Sequence, residues 1–363
     1  MNDAAARGRH VFLVRSSLQF LLATALAIDL RERTQQACRM LFLPDLPDPG
    51  LFLRAVGDWP ASPFDQVVCI DARGASAGIR RALRAALADA QPSSLTVFND
   101  REEAGQTALT AVARRFPQAQ RWCAEDGSLA YTGFVYRAHG AATQLRQTLR
   151  LGRGWHDVRV LGTHPLVQRF VALHPRLLRA ELRERPVQAF PAQALASPAL
   201  RSLATALCAG TGFAAQSVPP GATVLTLSHS SYAARNPDYR QMVAACAEQL
   251  AQRPGQFFVK YHPRETEPDY LGLCAPGAAT EIARTLPVEC LYLMLRDRPL
   301  TVVGGMSTTL LTAGLLMPQV RCAALVHASA SGDAWDRQLL DELRITPLAD
   351  AAAVAAFLQP GRT

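Results

Sequence analysis

The residues best placed to do chemistry begin at Lys260-Tyr261-His262-Pro263, which closes the apolar run Phe257-Phe258-Val259. Lys260 is the chain's only lysine, and in an arginine-rich background it marks a place suited to a compact ammonium rather than a planar guanidinium. If the run is a strand, Lys260 and His262 point to one side and reach a single anion. Pro263 biases His262 toward extended geometry, and a protonated imidazole there could stabilise or protonate a departing phosphate oxygen. The dipeptide alone carries little, because His164-Pro165 and His174-Pro175 repeat it ahead of arginine-rich, helix-like residues. Those two histidines, with His10, His139, His156 and His327, read as hydrogen-bonded structural groups. His229, at the end of the apolar run Thr223–Leu227, could line the same site as His262.

Three further blocks fall where strands should end. Gly304-Gly305-Met306-Ser307-Thr308-Thr309 follows the apolar Thr301-Val302-Val303 and opens a helical pattern. Gly305 would let backbone approach a ligand closely, and Ser307 and Thr308 would add hydroxyls at a helix N-terminus, a combination suited to phosphate. A well-capped core helix explains the same residues. The block lacks the Gly-Lys-Ser/Thr of a Walker A loop, and Arg15-Ser16-Ser17 lacks a GxGxxG fingerprint, which disfavours NAD or FAD. Glu125-Asp126-Gly127 sets two carboxylates on a turn, where one could remove a proton from an acceptor hydroxyl; as structure, it is a solvated turn. Glu289, a lone acid after Pro287-Val288, could accept hydrogen bonds from ribose hydroxyls or lie on the surface.

Short apolar runs alternate with helical patterns, and these elements must hold the blocks in place. In the first half they are Val11–Val14 then Ser17–Arg33, Gln66–Ile70 then Ala77–Ala90, and Leu95–Phe98 then Ala104–Arg115. In the second half they are strand Thr223–Leu227, helix Asp238–Gln252, strand Gln256–Lys260, strand Thr301–Val303, helix Ser307–Leu316 and strand Val320–Leu325. This alternation predicts two α/β, Rossmann-like doubly wound domains facing a central cleft, where ligands of open parallel sheets bind. The expected boundaries are a first domain over 1–190, a linker region over 191–220 around the Pro/Ala-rich stretch Pro186–Pro198, and a second domain over 221–333. A helical segment over 334–363 is expected to pack back on the first domain.

The formal charge of +8 favours an anionic partner. With the arginines scattered and no aromatic-interleaved basic stripe, nucleic acid is not expected. The eight cysteines show no CxxC pair and no zinc spacing, so they read as small buried hydrophobes in a reducing compartment. Val11–Ile28 is mostly apolar, follows Arg7 and Arg9 and contains Ala25-Leu26-Ala27 like a signal-peptidase site. Arg15, Ser16, Ser17 and Gln19 interrupt it, and a strand followed by a helix explains the same residues.

Taken jointly, Glu125-Asp126-Gly127, His262-Pro263 and Ser307-Thr308 resemble, in order and context, the D/E-D/E-G, HP and Ser/Thr motifs of bacterial GT-B sialyltransferases and polysialyltransferases. The resemblance implies an inverting, metal-independent glycosyltransferase without a cofactor, moving a sialic acid or related nonulosonic acid from a CMP-activated donor to a glycan acceptor hydroxyl. Asp126 would be the general base, and His262 would assist departure of CMP. Lys260, Gly305, Ser307 and Thr308 would hold its phosphate, and Glu289 would bind the ribose. Legionaminic acid, pseudaminic acid and Kdo are also carried on CMP and remain open as the donor sugar. Such an enzyme would build bacterial surface polysaccharide in the cytoplasm, in peripheral association with the inner membrane. The alternatives are a GT-B transferase or epimerase using a UDP- or GDP-sugar, and a non-catalytic sugar-nucleotide-binding protein of a polysaccharide cluster.

Overall fold

A computed structural model describes residues 8–46, 48–252, 255–274, 278–326 and 334–359; His327 lies outside the described residues. The chain divides into two compact units, Met1–Asp45 with Val56–Leu200, and Leu46–Ala55 with Arg201–Thr363.

The first unit opens with β1 (Arg9–Val14), whose last five residues are buried, as expected of a central strand covered on both faces. Helix α1 (Ser17–Thr34) buries every residue from Gln19 to Leu30, so it is a core helix without a polar face. Strand and helix together account for the Val11–Ile28 segment, and among the described residues no helix is long and apolar enough to cross a membrane. The chain continues through β2 (Ala37–Phe42), α2 (Pro49–Gly57), which belongs to the second unit as far as Ala55, β3 (Gln66–Cys69), α3 (Ser76–Ala90), β4 (Pro92–Val97), α4 (Glu103–Arg115) and β5 (Gln120–Ala124). It then forms α5 (Ala141–Leu151), β6 (Arg169–Ala172), α6 (Ala180–Arg183), β7 (Val187–Ala189), α7 (Ala192–Leu195) and α8 (Pro198–Gly210), which belongs to the second unit from Arg201 on. The sheet order is β3-β2-β1-β4-β5-β6-β7, with every pair parallel. The order reverses between β1 and β4, which makes that junction a switch point.

The second unit repeats the plan. It contains β8 (Thr223–Thr226), α9 (Ser230–Arg235), α10 (Pro237–Ala251), β9 (Phe257–Lys260), β10 (Thr280–Glu281), α11 (Val288–Met294), β11 (Leu300–Gly304), α12 (Thr308–Leu316) and β12 (Val320–Leu325). The series ends with α13 (Ala334–Glu342), β13 (Ile345–Leu348) and α14 (Ala351–Leu358). All pairs in the order β10-β9-β8-β11-β12-β13 are parallel, so the switch point lies between β8 and β11. Leu225, Val259, Val303 and Ala323 of the central strands pack with Tyr239, Met242 and Cys246 of α10.

Two expectations differ from the structure. The stretch read as a linker is folded: Val187–Ala189 pairs with β6, and two helices follow. Pro191 and Pro198 sit at helix starts, where a missing N–H costs little, and Pro186 precedes β7. Residues 334–363, expected as a helix returning to the first domain, belong to the second unit instead. There β13 pairs with β12, and Val354 and Leu358 of α14 join the core formed with α10.

Candidate functional site

At the second switch point β8 and β11 lie in register, with Thr226 opposite Gly304. A Cβ on Gly304 would stand 2.1 Å from Thr226 Oγ1 and 2.9 Å from the Thr226 carbonyl oxygen, so only glycine fits. On Gly305 a Cβ would stand 3.3 Å from Ser228 Oγ, which puts the turns after the two strands side by side. Ser307 is the N-cap of α12 in extended backbone, yet its side chain does not cap the helix. Its Oγ is 2.7 Å from Thr309 Oγ1, which donates to Thr226 Oγ1 at 3.2 Å, which in turn points to the Val303 carbonyl at 3.4 Å. The hydroxyls thus form a chain along the strand ends, and Thr308 opens the helix beside it.

His229 and His262 complete this face, with ring centroids 5.6 Å apart. Each accepts at Nδ1 the backbone N–H two residues downstream, Ser231 for His229 and Arg264 for His262, both at 3.2 Å. In the neutral ring an accepting Nδ1 places the proton on Nε2, so each histidine presents an Nε2–H donor. Burial, followed by the charges of His229, Arg264 and Lys260, pushes His262 down to about 4. His262 is therefore a neutral donor at pH 7, whereas the sequence suggested a protonated one. An arriving phosphate would raise its basicity.

Glu265, which sequence reasoning passed over, ties the two histidine turns together. One carboxylate oxygen accepts the Ser230 N–H at 2.7 Å, and the other accepts those of Thr266 and Glu267, each at 3.0 Å. Burial alone would raise this carboxyl, but the backbone donors, Ser230 first, outweigh it and hold it at about 2. Ser228 is fixed similarly: its N–H donates to the Tyr239 hydroxyl at 3.0 Å, and its carbonyl accepts from Tyr270 at 2.8 Å.

Lys260 and Glu289 lie deeper. The Lys260 ammonium donates to the carbonyls of Tyr261 at 3.1 Å and Arg284 at 2.9 Å, so two of its three protons support backbone. Burial pulls it down to about 8, against the opposing charges of Glu289 and Glu281. Glu289 is buried near the start of α11 and accepts from Thr312 Oγ1 of α12 at 3.2 Å. Burial raises its carboxyl, while Thr312 and Lys260 lower it.

In the first unit, Glu125-Asp126-Gly127 follows β5. Gly127 takes φ 102°, a backbone that favours glycine. Glu125 is wholly internal: Oε2 accepts the Leu173 N–H at 2.6 Å and the Tyr131 hydroxyl, and Oε1 has no hydrogen-bond partner. Burial pushes its carboxyl up to about 8. Asp126 is only half-buried, and its charge is felt by Glu125 and by Tyr136.

No protein-family model and no curated protein matches this sequence. Solved structures do share its fold. The UDP-GlcNAc 2-epimerase of Neisseria meningitidis, bound to UDP-GlcNAc, is similar with a TM-score of 0.59 at 11% identity, over 96% of this chain and 90% of that one. The UDP-GlcNAc 2-epimerase of Methanocaldococcus jannaschii gives 0.57 at 11%, over 98% and 94%. The GT-B domain of a Photobacterium damselae sialyltransferase gives 0.51 at 12%, over 94% and 100%. At these identities the likeness establishes the fold, GT-B, with two Rossmann-like α/β units.

Proposed function

We propose that this chain is a glycosyl-group enzyme acting on a sugar nucleotide, whose phosphate sits at the β8/β11 switch point. The observation that carries this reading is the meeting of two Nε2–H donors, from His229 and His262, with the glycine turn and the uncapped start of α12. Imidazole N–H donors and helix amides stabilise charge that grows on a leaving phosphate. As glycosyl transfer proceeds, the acceptor oxygen bonds to the anomeric carbon and gives its proton to Asp126. The bond from that carbon to the phosphate oxygen breaks, and the electron pair leaves with the nucleotide while His262 donates a hydrogen bond to it. Lys260 stiffens the end of β9 through its two carbonyls, leaving one proton to offer, and Glu289 is the candidate ribose acceptor.

The motif order supports a CMP-activated nonulosonic acid as donor and a glycan hydroxyl of a bacterial surface polysaccharide as acceptor. No cofactor or metal takes part in this reading, and the enzyme works in the cytoplasm, peripherally on the inner membrane. A second reading, a UDP-sugar transferase or epimerase, is favoured by the higher structural similarity to the two UDP-GlcNAc 2-epimerases. Calorimetric titration with CMP, UDP and GDP separates them. Binding of CMP alone supports the first reading and binding of UDP without CMP the second, and failure of all three to bind would sink the sugar-nucleotide proposal itself.

A further inference from the structure

Among the described residues the exposed large apolar side chains are Phe134, Val135, Leu145, Leu149 and Tyr232, and four of these five fall within residues 134–149 of the first unit. Leu145 is 62% and Leu149 77% exposed, one turn apart on α5. Exposed Ala141 continues their row, and exposed Arg146 and Arg150 flank it. The opposite side holds the helix: Leu151 is buried, Gln144 Nε2 donates to the His139 carbonyl at 2.7 Å, and α5 packs on α4. Phe134 and Val135, 51% and 43% exposed, lie on the loop that leads into α5.

Charge decides what such a face fits. From Gly127 to His156 the sequence has four arginines, Arg137, Arg146, Arg150 and Arg153, and no aspartate or glutamate. Arg150 stands 3.8 Å from Glu103 but keeps 41% of its side chain exposed. A second copy meeting this face about a two-fold axis would set arginine against arginine. A surface of anionic phospholipid headgroups complements it, with apolar side chains entering the acyl boundary and guanidinium groups on the phosphates.

We propose that α5 and the loop 134–137 form a docking surface for an anionic phospholipid bilayer, with the helix lying in the interface plane. The inference deepens the peripheral-membrane part of the proposed function by naming the surface. At 11 residues, α5 is about 16 Å long, too short to span a bilayer. The same loop borders the proposed base, since Asp126 is among the charges felt by Tyr136, whose backbone N–H bonds the Arg159 carbonyl at 2.9 Å. Docking there would bring a lipid-anchored acceptor to the end of β5.

The test is sedimentation of the full chain with phosphatidylcholine vesicles, with and without phosphatidylglycerol, at low and high salt. The expected result is binding to the anionic vesicles, weakened by salt, and reduced about tenfold or more in Leu145→Glu/Leu149→Glu and several-fold in Arg137→Gln/Arg146→Gln. All four side chains are exposed, and an unchanged thermal melt with unchanged nucleotide affinity shows that a variant is folded. Equal binding to neutral and anionic vesicles, equal binding by the leucine variant, or no binding would overturn the proposal. So would a concentration-dependent dimer that the same variant abolishes. Nucleotide titration is independent of these outcomes, so failure there sinks the enzymatic reading and leaves the docking result standing.

Discussion

The two sheets share one order over six strands, yet the turns at their switch points are built for opposite ends. In the first, Ser16 Oγ caps α1 by accepting the Gln19 N–H at 3.2 Å, and Arg15 pairs with Glu102. After β4, Asn99 Oδ1 accepts the N–H groups of Arg101 and Glu102 at 3.0 and 3.1 Å, and buried Asp100 accepts those of Gly162 and His164 at 2.8 Å each. Protein groups occupy these donors. In the second, β11 runs out through Gly304-Gly305, the N-cap serine does not cap its helix, and two imidazoles spend Nδ1 on backbone, which leaves Nε2–H to donate. Shared topology places a crevice in both units, but local side chains decide whether its donors are already satisfied.

On the proposed function, ligand affinity rests on the second unit and proton removal on Asp126 of the first, and substitutions should separate the two. The largest effect is expected from Asp126→Ala: turnover should fall about 10²- to 10⁴-fold, the range for loss of a general base. Nucleotide affinity measured by calorimetry should stay unchanged. Turnover within a few-fold of the native value would reject Asp126 as base. His262→Ala should lower turnover as well, since its donor meets the leaving phosphate, but unlike Asp126→Ala it should also weaken nucleotide binding about 10- to 100-fold through loss of a donor to a charged group. Because His262 titrates at about 4 in the free protein and a phosphate would raise it, binding should take up protons. Affinity should therefore rise as pH falls from neutrality toward 4, less steeply in the variant.

Glu125 offers a stability measurement confined to the first unit. Its folded carboxyl, at about 8, is raised above the ordinary 4.5, so the stability it lends is complete below 4.5 and is lost as pH rises through 8. Buried His10, His164 and His262 are lowered to about 3, 4 and 4, and they act below their ordinary 6.5 in the opposite sense. Between pH 6.5 and 7.5 Glu125 acts apart from them and below Lys260, whose ammonium, pulled down to about 8, works in the opposite sense at higher pH, and stability should decline by roughly 1 kcal/mol in urea unfolding. Glu125→Gln keeps an acceptor for Tyr131 and Leu173 and should flatten that decline. An unchanged slope would mean that Glu125 is ionised in the folded chain.

Much of this was legible in the sequence where local pattern and tertiary role agree. β1, β8, β9, β11 and β12 are short apolar runs, and the blocks at Glu125, His262 and Gly304 lie at strand ends as the alternation required, whereas Glu289 lies in α11. β2 escaped because Arg39 interrupts its apolar run. The structure tolerates this by leading the buried guanidinium to exposed Asp89 at 2.6 Å. β13 escaped because it contains Pro347, which is accommodated at the sheet's edge. At the site, the histidines were visible, but their tautomers depend on N–H groups fixed only by the folded turns. Glu265 could not be read at all, because its partner Ser230 lies 35 residues away on another turn. The same limit applied to Lys260, whose lone occurrence drew notice but whose carbonyl partners include Arg284, 24 residues on.

The smallest prediction tests the contrast most directly, because it makes the same substitution at both switch points. Ser16→Ala removes a side chain that caps α1 and should cost about 1 kcal/mol of stability in urea unfolding. Ser307→Ala removes a residue of the same type from the same N-cap position, but no cap is lost there. Among the described residues its Oγ serves the hydroxyl chain through Thr309, so stability should change by less than about 0.5 kcal/mol. Nucleotide affinity should show the converse order, unchanged in Ser16→Ala and several-fold weaker in Ser307→Ala, because a partly exposed hydroxyl can turn toward a phosphate. Equal stability losses at the two positions would mean that Ser307 caps α12 in solution. In that case the second crevice would be as fully occupied by protein groups as the first.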